Sequence, residues 1–302
     1  MSWRTIYITQ CEKISLYLDN LLIVKDATEY KIPLKDIGSI VVEDYKAVFT
    51  MKILNKFIEY NILLITCDEK HNPYGILNSI GNHSRQYKVV SNQIQWGELE
   101  KNCLWKAIVR KKIENQREVM KLLNCNLDMI NKMSDYIENV EIGDITNREG
   151  IAAGIYFRNI FGDKFRRKAG EGVQNSALNY GYAILTSKVA RVIAGRGLVP
   201  YIGIHHKNEY NQFNLASDLV EIFRPIVDYY VAKYLQECSY FAREDRVELL
   251  NLLNAKIIYC GRKEYLSNCI DKFIDIIINY FETGQEIEDK IPSIKGLELY
   301  EL

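Results

Sequence analysis

One change of periodicity constrains this chain more than any other feature. Up to residue 78 the apolar residues come in short β-branched and aromatic runs, and from residue 85 they recur at three- and four-residue spacing. Strand signals followed by helix signals predict a segregated α+β chain, not alternating α/β units. Runs at 4–9, 13–18, 21–24, 29–33, 37–42, 62–66 and 75–77 predict about seven strands. Asp19 and Asn20 read as a hairpin turn. Met51, Leu54, Phe57 and Ile58 take helical spacing, so one helix is expected among the strands. The expectation is a small N-terminal β-sandwich domain over 1–78, a linker over 79–84 containing Gly81 and Asn82, and a larger all-α domain over 85–302. Its helices are expected at 85–95, 98–123, 127–139, from the 143–147 loop to 161, and at 175–194, 215–235, 243–253 and 262–281. Pro225 should break the 215–235 helix, because it removes a backbone donor. The tail from Glu286, charged and containing Pro292, reads as mobile.

The charge balance narrows the function classes. Lys plus Arg and Asp plus Glu each total 39 of 302 residues, which excludes a wholly basic nucleic-acid coat but leaves room for a local basic groove. The seven cysteines form no CxxC pair, which fits reduced thiols and a cytoplasmic location. No apolar window reaches ~18 residues, so no membrane helix is expected.

The chemistry-bearing stretch is 203–225. A histidine pair, His205 and His206, sits in an Asn-rich loop that feeds an apolar helix in which Leu215, Leu219, Ile222 and Phe223 would face a core. Asp218 and Glu221 are three apart on that helix, so both carboxylates project from one side, with Arg224 just beyond. Two carboxylates and an imidazole form a hard-to-borderline donor set that suits Mg²⁺ or Mn²⁺ better than a thiolate-loving metal. The plainer alternative is a solvated acidic face beside two surface histidines.

A second acid lies upstream. Glu149 opens a helix rich in small residues, Ala152, Ala153 and Gly154, where a ligand backbone or another helix can approach closely. Pairing with Arg148, or capping the first turn, is its ordinary alternative. The 175–182 segment carries Asn179 and Tyr180, and Lys188 and Arg191 follow on the same helix. Amide, phenol and cation together fit phosphate contacts, and ordinary packing with a wet basic edge is the alternative. Of the charge runs, 164–168 follows the Glu149 helix directly and stands nearer a substrate phosphate, whereas 110–112 reads as a solvated face.

The order of these motifs is specific. A β-sandwich precedes Glu-x₃-Ala-x₂-Tyr-Phe, then Asn-x₂-Leu-Asn-Tyr-x-Tyr, then Gly203-Ile-His-His206, with Asp218-Leu-Val-Glu-Ile-Phe-Arg-Pro225 twelve residues after His206. This resembles the CRISPR-associated spacer-acquisition integrase and endonuclease family, Cas1, over essentially the whole chain. The short strands and the Asn-rich loop with Tyr210 and Phe213 resemble its type II branch. The resemblance implies a metal site of Glu149, His206 and Glu221, with Asp218 orienting the histidine or a metal-bound water. It implies that His205 lies near the scissile phosphate, and that Arg224 pairs with Asp218 or holds a phosphate. Many relatives carry Asp where this chain has Glu221, an equivalent donor on a longer arm.

The resemblance also implies a reaction and partners. A 3′-hydroxyl of a short prespacer duplex would attack a phosphodiester at the edge of a CRISPR repeat, with Mg²⁺ or Mn²⁺ as cofactor. Nicking with water and disintegration of branched DNA would be side activities. The N-terminal domains would join a homodimer, and two homodimers would bridge a dimer of the small Cas2 protein in a heterohexamer, near the type II effector nuclease machinery. The alternatives are a metal-dependent nuclease without integration, a non-catalytic DNA-binding scaffold, and an unrelated helical metalloenzyme acting on small phosphates.

Overall fold

Parallel strands cannot be joined by a tight turn, and the N-terminal unit is built around that restriction. The computed structural model describes residues 4–11, 13–69, 71, 73–77, 85–167 and 172–299. The chain divides into two units, Met1–Gly81 and Asn82–Leu302. The expected 79–84 linker lies outside the described residues.

In the first unit β1 (Arg4–Ile8) is followed by a meander of β2 (Lys13–Tyr17), β3 (Asn20–Lys25) and β4 (Thr28–Pro33), and then by β5 (Ile37–Val42). Helix α1 (Met51–Glu59) leads to β6 (Leu63–Cys67) and β7 (Pro73–Leu77). The meander is one antiparallel sheet, and the other sheet runs β1-β5-β6-β7. Within the second sheet β1–β5 and β5–β6 are parallel and β6–β7 is antiparallel. Helix α1 is the crossover that the β5–β6 pair requires, and Thr50 caps it by accepting the Ile53 N–H. The first hairpin turns at Leu18–Asp19, one residue before the expected place, because Tyr17 already pairs with Asn20. The second turns at Asp26–Ala27, both left-handed (φ 50° and 58°), as a two-residue loop demands. Ile8, Ile14, Leu21, Ile23, Ile40, Phe57 and Leu64 form one buried cluster drawn from both sheets and α1, which makes the unit a sandwich.

The second unit is mostly helical. Helices α2 (Gln86–Ile94), α3 (Glu98–Leu122), α4 (Leu127–Glu138), α5 (Arg148–Phe161) and α6 (Gly172–Gly195) come first. They are followed by α7 (Asn214–Val220), α8 (Arg224–Tyr234), α9 (Arg243–Asn251), the strands β8 (Lys256–Tyr259) and β9 (Arg262–Tyr265), and α10 (Leu266–Thr283). Two long helices carry the packing: α3 lies against α4, α5, α7 and α8, and α6 against α7, α8, α9 and α10. Along α3, Trp105, Ile108, Val109, Lys112, Asn115, Gln116 and Val119 are buried at three- and four-residue spacing, the signature of an inward stripe.

Two expectations are corrected here and one holds. The unit is not all-α: 262–265 is a strand paired with β8 across Cys260–Gly261, whose positive φ values (51° and 74°) close a tight hairpin. The expected break of the 215–235 segment is present: two helices are separated by Glu221–Phe223, with Pro225 in the first turn of the second, where its missing donor costs nothing. The tail through residue 299 is not a loose end: Ile287, Ile291 and Ile294 are buried, and Glu298 bridges to Lys256.

Candidate active site

The Asn-rich loop before α7 is held by its own amides. Asn214 donates to the carbonyls of Tyr201 (3.2 Å) and Asn208 (2.9 Å), and the Leu215 N–H donates to Pro200 (2.8 Å). A short polar side chain that can satisfy loop carbonyls explains the residue type. The carboxylate of Asp218, fully buried on α7, closes the other end. It accepts the backbone N–H groups of Ile204 (2.6 Å), His205 (3.0 Å) and His206 (3.1 Å). It also accepts His206 Nδ1 at 2.5 Å, which leaves Nε2 as the free ring nitrogen. Gly203 must be glycine, since a Cβ there would sit 2.4 Å from the His206 carbonyl and 2.9 Å from Asp218 Oδ2. The hydrogen bond to Asp218 raises the pKa of His206 above its ordinary value, and burial opposes it.

The two histidines make different contacts. His205 stacks on the buried indole of Trp105, ring centroids 4.3 Å apart and planes 3° from parallel. His206 stands edge-on to the same indole at 5.9 Å and alone takes the Asp218 side-chain bond.

Glu149 is delivered by the cap of α5. Asp144 accepts the N–H groups of Arg148 (2.8 Å) and Glu149 (3.0 Å), and left-handed Asn147 accepts that of Gly150 (3.3 Å). Capping by side-chain hydrogen bond is thus done by neighbours, and Arg148 lies over the Tyr136 ring, while Glu149 keeps a favourable place in the first turn. Its carboxylate instead meets Lys112, whose Nζ lies 2.5 Å from Glu149 Oε1 and 2.5 Å from Glu221 Oε2. Glu221 is 4% exposed and carries a second cation, Arg224, at 2.5 Å from Oε1. The Lys112 approach to Oε2 is out of line for a hydrogen bond, so that buried oxygen is charge-paired but accepts none. Burial opposes ionisation of Glu221, yet Lys112 and Arg224 hold its carboxyl below the usual range. Burial likewise works against charge on Lys112, and Glu221 and Glu149 together more than offset it, so its pKa is raised.

Arg224 therefore pairs with Glu221, three residues before it, and not with Asp218, which is six residues before it. Asp218 is turned to the loop and Glu221 to Lys112 on α3. Beyond Arg224 opens a cavity of about 530 Å³, lined by Lys112, Arg167, Asn179, Tyr182, Arg224 and Asp228 among others. Both guanidiniums lie over the Tyr182 ring, at 5.2 Å for Arg167 and 5.0 Å for Arg224. Arg167 also donates to Asn175 (2.8 Å) and Asn179 (2.7 Å). On the cavity wall Asp228 accepts the hydroxyls of Tyr156 (3.0 Å) and Tyr182. Burial raises the pKa of Asp228 to about 6, against the two phenols, which lower it.

Of the remaining residues singled out from sequence, Asn179 lines this cavity, but Tyr180 does not. One residue along a helix is a turn of about 100°, and Tyr180 is buried edge-on to Phe241. Tyr182, three residues from Asn179, takes the place expected of it. Lys188 is buried and bonded to Asp271 of α10 at 2.8 Å, and burial, then Arg191, lowers its pKa to about 8. Arg191 is half-buried and interacts with the charge of the same Asp271. Both serve the α6–α10 packing. Of the 164–168 run, Arg167 reaches the cavity and Lys168 lies outside the described residues. Sequence reasoning missed Lys112, Trp105 and Asp228, and it quoted Tyr156 and Tyr182 as motif positions without giving them a role. Lys112 had a signal: it stands seven residues after Trp105 on the apolar stripe of α3.

Among the described residues no three His, Cys, Asp or Glu side chains converge closely enough to coordinate an ion as they stand. The donor chemistry nevertheless fits a divalent cation. Two carboxylates share one ammonium, one buried carboxylate oxygen accepts no hydrogen bond, and an imidazole has its far nitrogen fixed by a carboxylate. No helix among the described residues is long and apolar enough to cross a membrane.

Known proteins share this arrangement of sequence. A CRISPR-associated endonuclease Cas1 from Neisseria meningitidis serogroup C (strain 8013) is 37% identical over 228 residues, 76% of this chain and 74% of the relative. Another from Francisella tularensis subsp. novicida (strain U112) is 29% identical over 281 residues, covering 83% and 87%. Among solved structures, a casposase bound to integration product superposes with a TM-score of 0.76 at 21% identity, covering 98% of this chain and 96% of that one. The Cas6-RT-Cas1–Cas2 complex matches with a TM-score of 0.72 at 18% identity, covering 96% of this chain and 36% of that one. The model of the CRISPR associated protein Cas1 family matches residues 6–246, and the chain belongs to that family.

Proposed function

We propose that this chain is the metal-dependent DNA integrase of CRISPR adaptation, joining the 3′-hydroxyl of a short prespacer duplex to a phosphodiester at the repeat edge. The observation that carries the reading is the meeting of Glu149 and Glu221 across Lys112, with His206 held by Asp218. The casposase bound to integration product supports joining as the chemistry of this fold. The word endonuclease in the relatives' names supports a second reading, cleavage with water and no joining.

In the reaction the attacking 3′-oxygen forms a bond to phosphorus as the phosphorus–oxygen bond to the leaving 3′-oxygen breaks. One phosphodiester replaces another, so no Ser, Cys or Tyr nucleophile is needed. Glu149, His206 and Glu221 would hold a Mg²⁺ or Mn²⁺ ion, which when bound polarises the phosphoryl oxygen and stabilises charge on the attacking and leaving oxygens. The chain's own residues do the positioning. Asp218 fixes the His206 ring, leaving Nε2 to bind. Arg224 and Arg167 give the cavity the positive lining that a phosphate backbone requires.

The partners follow the same reading: double-stranded prespacer and repeat DNA, a homodimer through the N-terminal sandwich, and Cas2 in a heterohexamer. The Cas6-RT-Cas1–Cas2 complex supports the Cas2 pairing. The Neisseria and Francisella relatives are in line with a type II array, whose effector machinery would be a further partner.

The test is an integration assay with the Cas2 partner, a labelled duplex with free 3′-hydroxyls, a supercoiled repeat plasmid and Mn²⁺ or Mg²⁺. Label joined to plasmid, and lost in Glu149→Ala, His206→Ala and Glu221→Ala, is the expected result. Nicked plasmid without joined label would favour the nuclease. Tight DNA binding with no reaction in either metal would leave a scaffold.

A further inference from the structure

Lys112 is the least expected member of the site. It comes from the middle of α3, is 10% exposed, and places one ammonium 2.5 Å from each of two carboxylates, one on α5 and one in the break between α7 and α8. A metal ion serving those two glutamates would want the same position, between the same oxygens. A cation cannot share it with an ammonium, because two positive centres that close repel in a site with little water.

We infer that Lys112 is a resident surrogate cation, which neutralises Glu149 and Glu221 while the site is metal-free and must be displaced for the divalent ion to bind. The inference rests on the metal-site reading of Glu149, His206 and Glu221.

Three observations carry it. First, Glu221 is 4% exposed and Glu149 23% exposed, and a buried carboxylate pair without a counter-charge would be costly, so something must neutralise them before metal arrives. Arg224 reaches Glu221 Oε1, but Glu149 Oε1 has Lys112. Second, the contact to Glu221 Oε2 is a charge contact out of line for a hydrogen bond, so the ammonium holds that oxygen by charge alone and can be exchanged for a better-placed cation. Third, the ammonium has somewhere to go. Lys112 also lines the cavity of about 530 Å³ that holds Asp228 and Gln116, and a four-carbon arm can swing there without moving α3. Once in the cavity it stands among Arg167 and Arg224, as a third cation facing a phosphate backbone. Metal loading would then do two things at once: fill the ligand set and release a cation toward the substrate.

The consequence is a metal affinity held down by the protein's own side chain. The test is Mn²⁺ binding to the full-length chain without DNA, at one fixed pH, by titration calorimetry and by electron paramagnetic resonance of free Mn²⁺, beside thermal melting with and without Mn²⁺. Lys112→Met keeps the arm's volume and removes the charge. It should bind Mn²⁺ at least about tenfold more tightly than the wild type, melt lower without metal, and gain more in melting temperature when Mn²⁺ is added. Adding Glu149→Gln to Lys112→Met should abolish the gain, placing it at these carboxylates. Should the Met variant not fold metal-free, Lys112→Gln keeps one hydrogen-bond donor and should still bind more tightly than the wild type. Mn²⁺ bound equally or more weakly by the folded Lys112 variant overturns the inference and leaves the metal site standing. No Mn²⁺ bound by either protein overturns the metal-site reading and the inference with it.

Discussion

Asp218 and His206 share a 2.5 Å contact in which the carboxylate is fully buried and the imidazole is 42% exposed on its other side. The same carboxylate ties three successive backbone N–H groups, so ring and loop are set by one side chain. Asp218→Ala would leave those donors without their acceptor and cost about 3 kcal/mol or more of folding stability. Asp218→Asn keeps an acceptor oxygen and should cost less than half as much, while joining falls sharply in both. Urea unfolding beside the integration assay measures the pair, and an Asn variant with full activity would contradict the orienting role.

His205→Ala removes a stacked ring from Trp105 and should cost about 1 kcal/mol. Joining should persist within a few-fold of the wild type, in contrast to His206→Ala. If His205→Ala is the inactive variant and His206→Ala is active, the two roles are reversed.

Burial holds Asp228 at a pKa of about 6, against 3.8 when unburied. A carboxyl with a raised folded-state pKa binds its proton more tightly folded than unfolded. Stability therefore declines as pH rises from about 4 to about 6 and levels off above, a change of roughly 3 kcal/mol. Asp228→Asn cannot titrate, so the difference in urea midpoint between wild type and variant should drift across that window and be constant from pH 7 upward. A difference that is constant from pH 4 to 7 would show that Asp228 is not held protonated by burial.

Asn115 on α3 donates to the Ile222 carbonyl at 2.8 Å and accepts the Ile294 N–H at 3.1 Å. Both partners are buried, so Asn115→Ala should cost about 2 kcal/mol and raise amide hydrogen exchange through 291–299. Unchanged protection in that segment would mean that the apolar contacts of Ile291 and Ile294 hold it without the amide.

That last pair shows where sequence reasoning reached and where it stopped. The strand-to-helix switch, the Pro225 break and the caps before Glu149 were readable because each is a local signal, within a few residues of its effect. The tail was not. Charged residues and Pro292 outweighed Ile287, Ile291 and Ile294, whose burial depends on Asn115, far away in sequence. The β8–β9 hairpin hid behind polar Arg262 and Lys263, though Cys260–Gly261 between short runs was a turn signal. At the site, Glu149, His206, Asp218 and Glu221 were found as residue types in order. Their pairing could not be, because Lys112 looked like part of a surface charge run until α3 was seen to bury that face. Tyr182 was passed over for Tyr180 for a similar reason: only the rotation of α6 tells which phenol meets Arg167 and Arg224.

Arg224 has one further consequence. Its guanidinium touches Glu221 on one side and covers the Tyr182 ring, beside Asp228, on the other. Glu221 and Asp228 are both buried acids, and two such groups with nothing between them would compete for a single proton. A permanently charged plate between them favours the ionised form of both, and burial still holds Asp228 at about 6. Arg224 thus acts as an electrical partition, and a neutral residue in its place would make the protonation of one acid depend on the occupancy of the other.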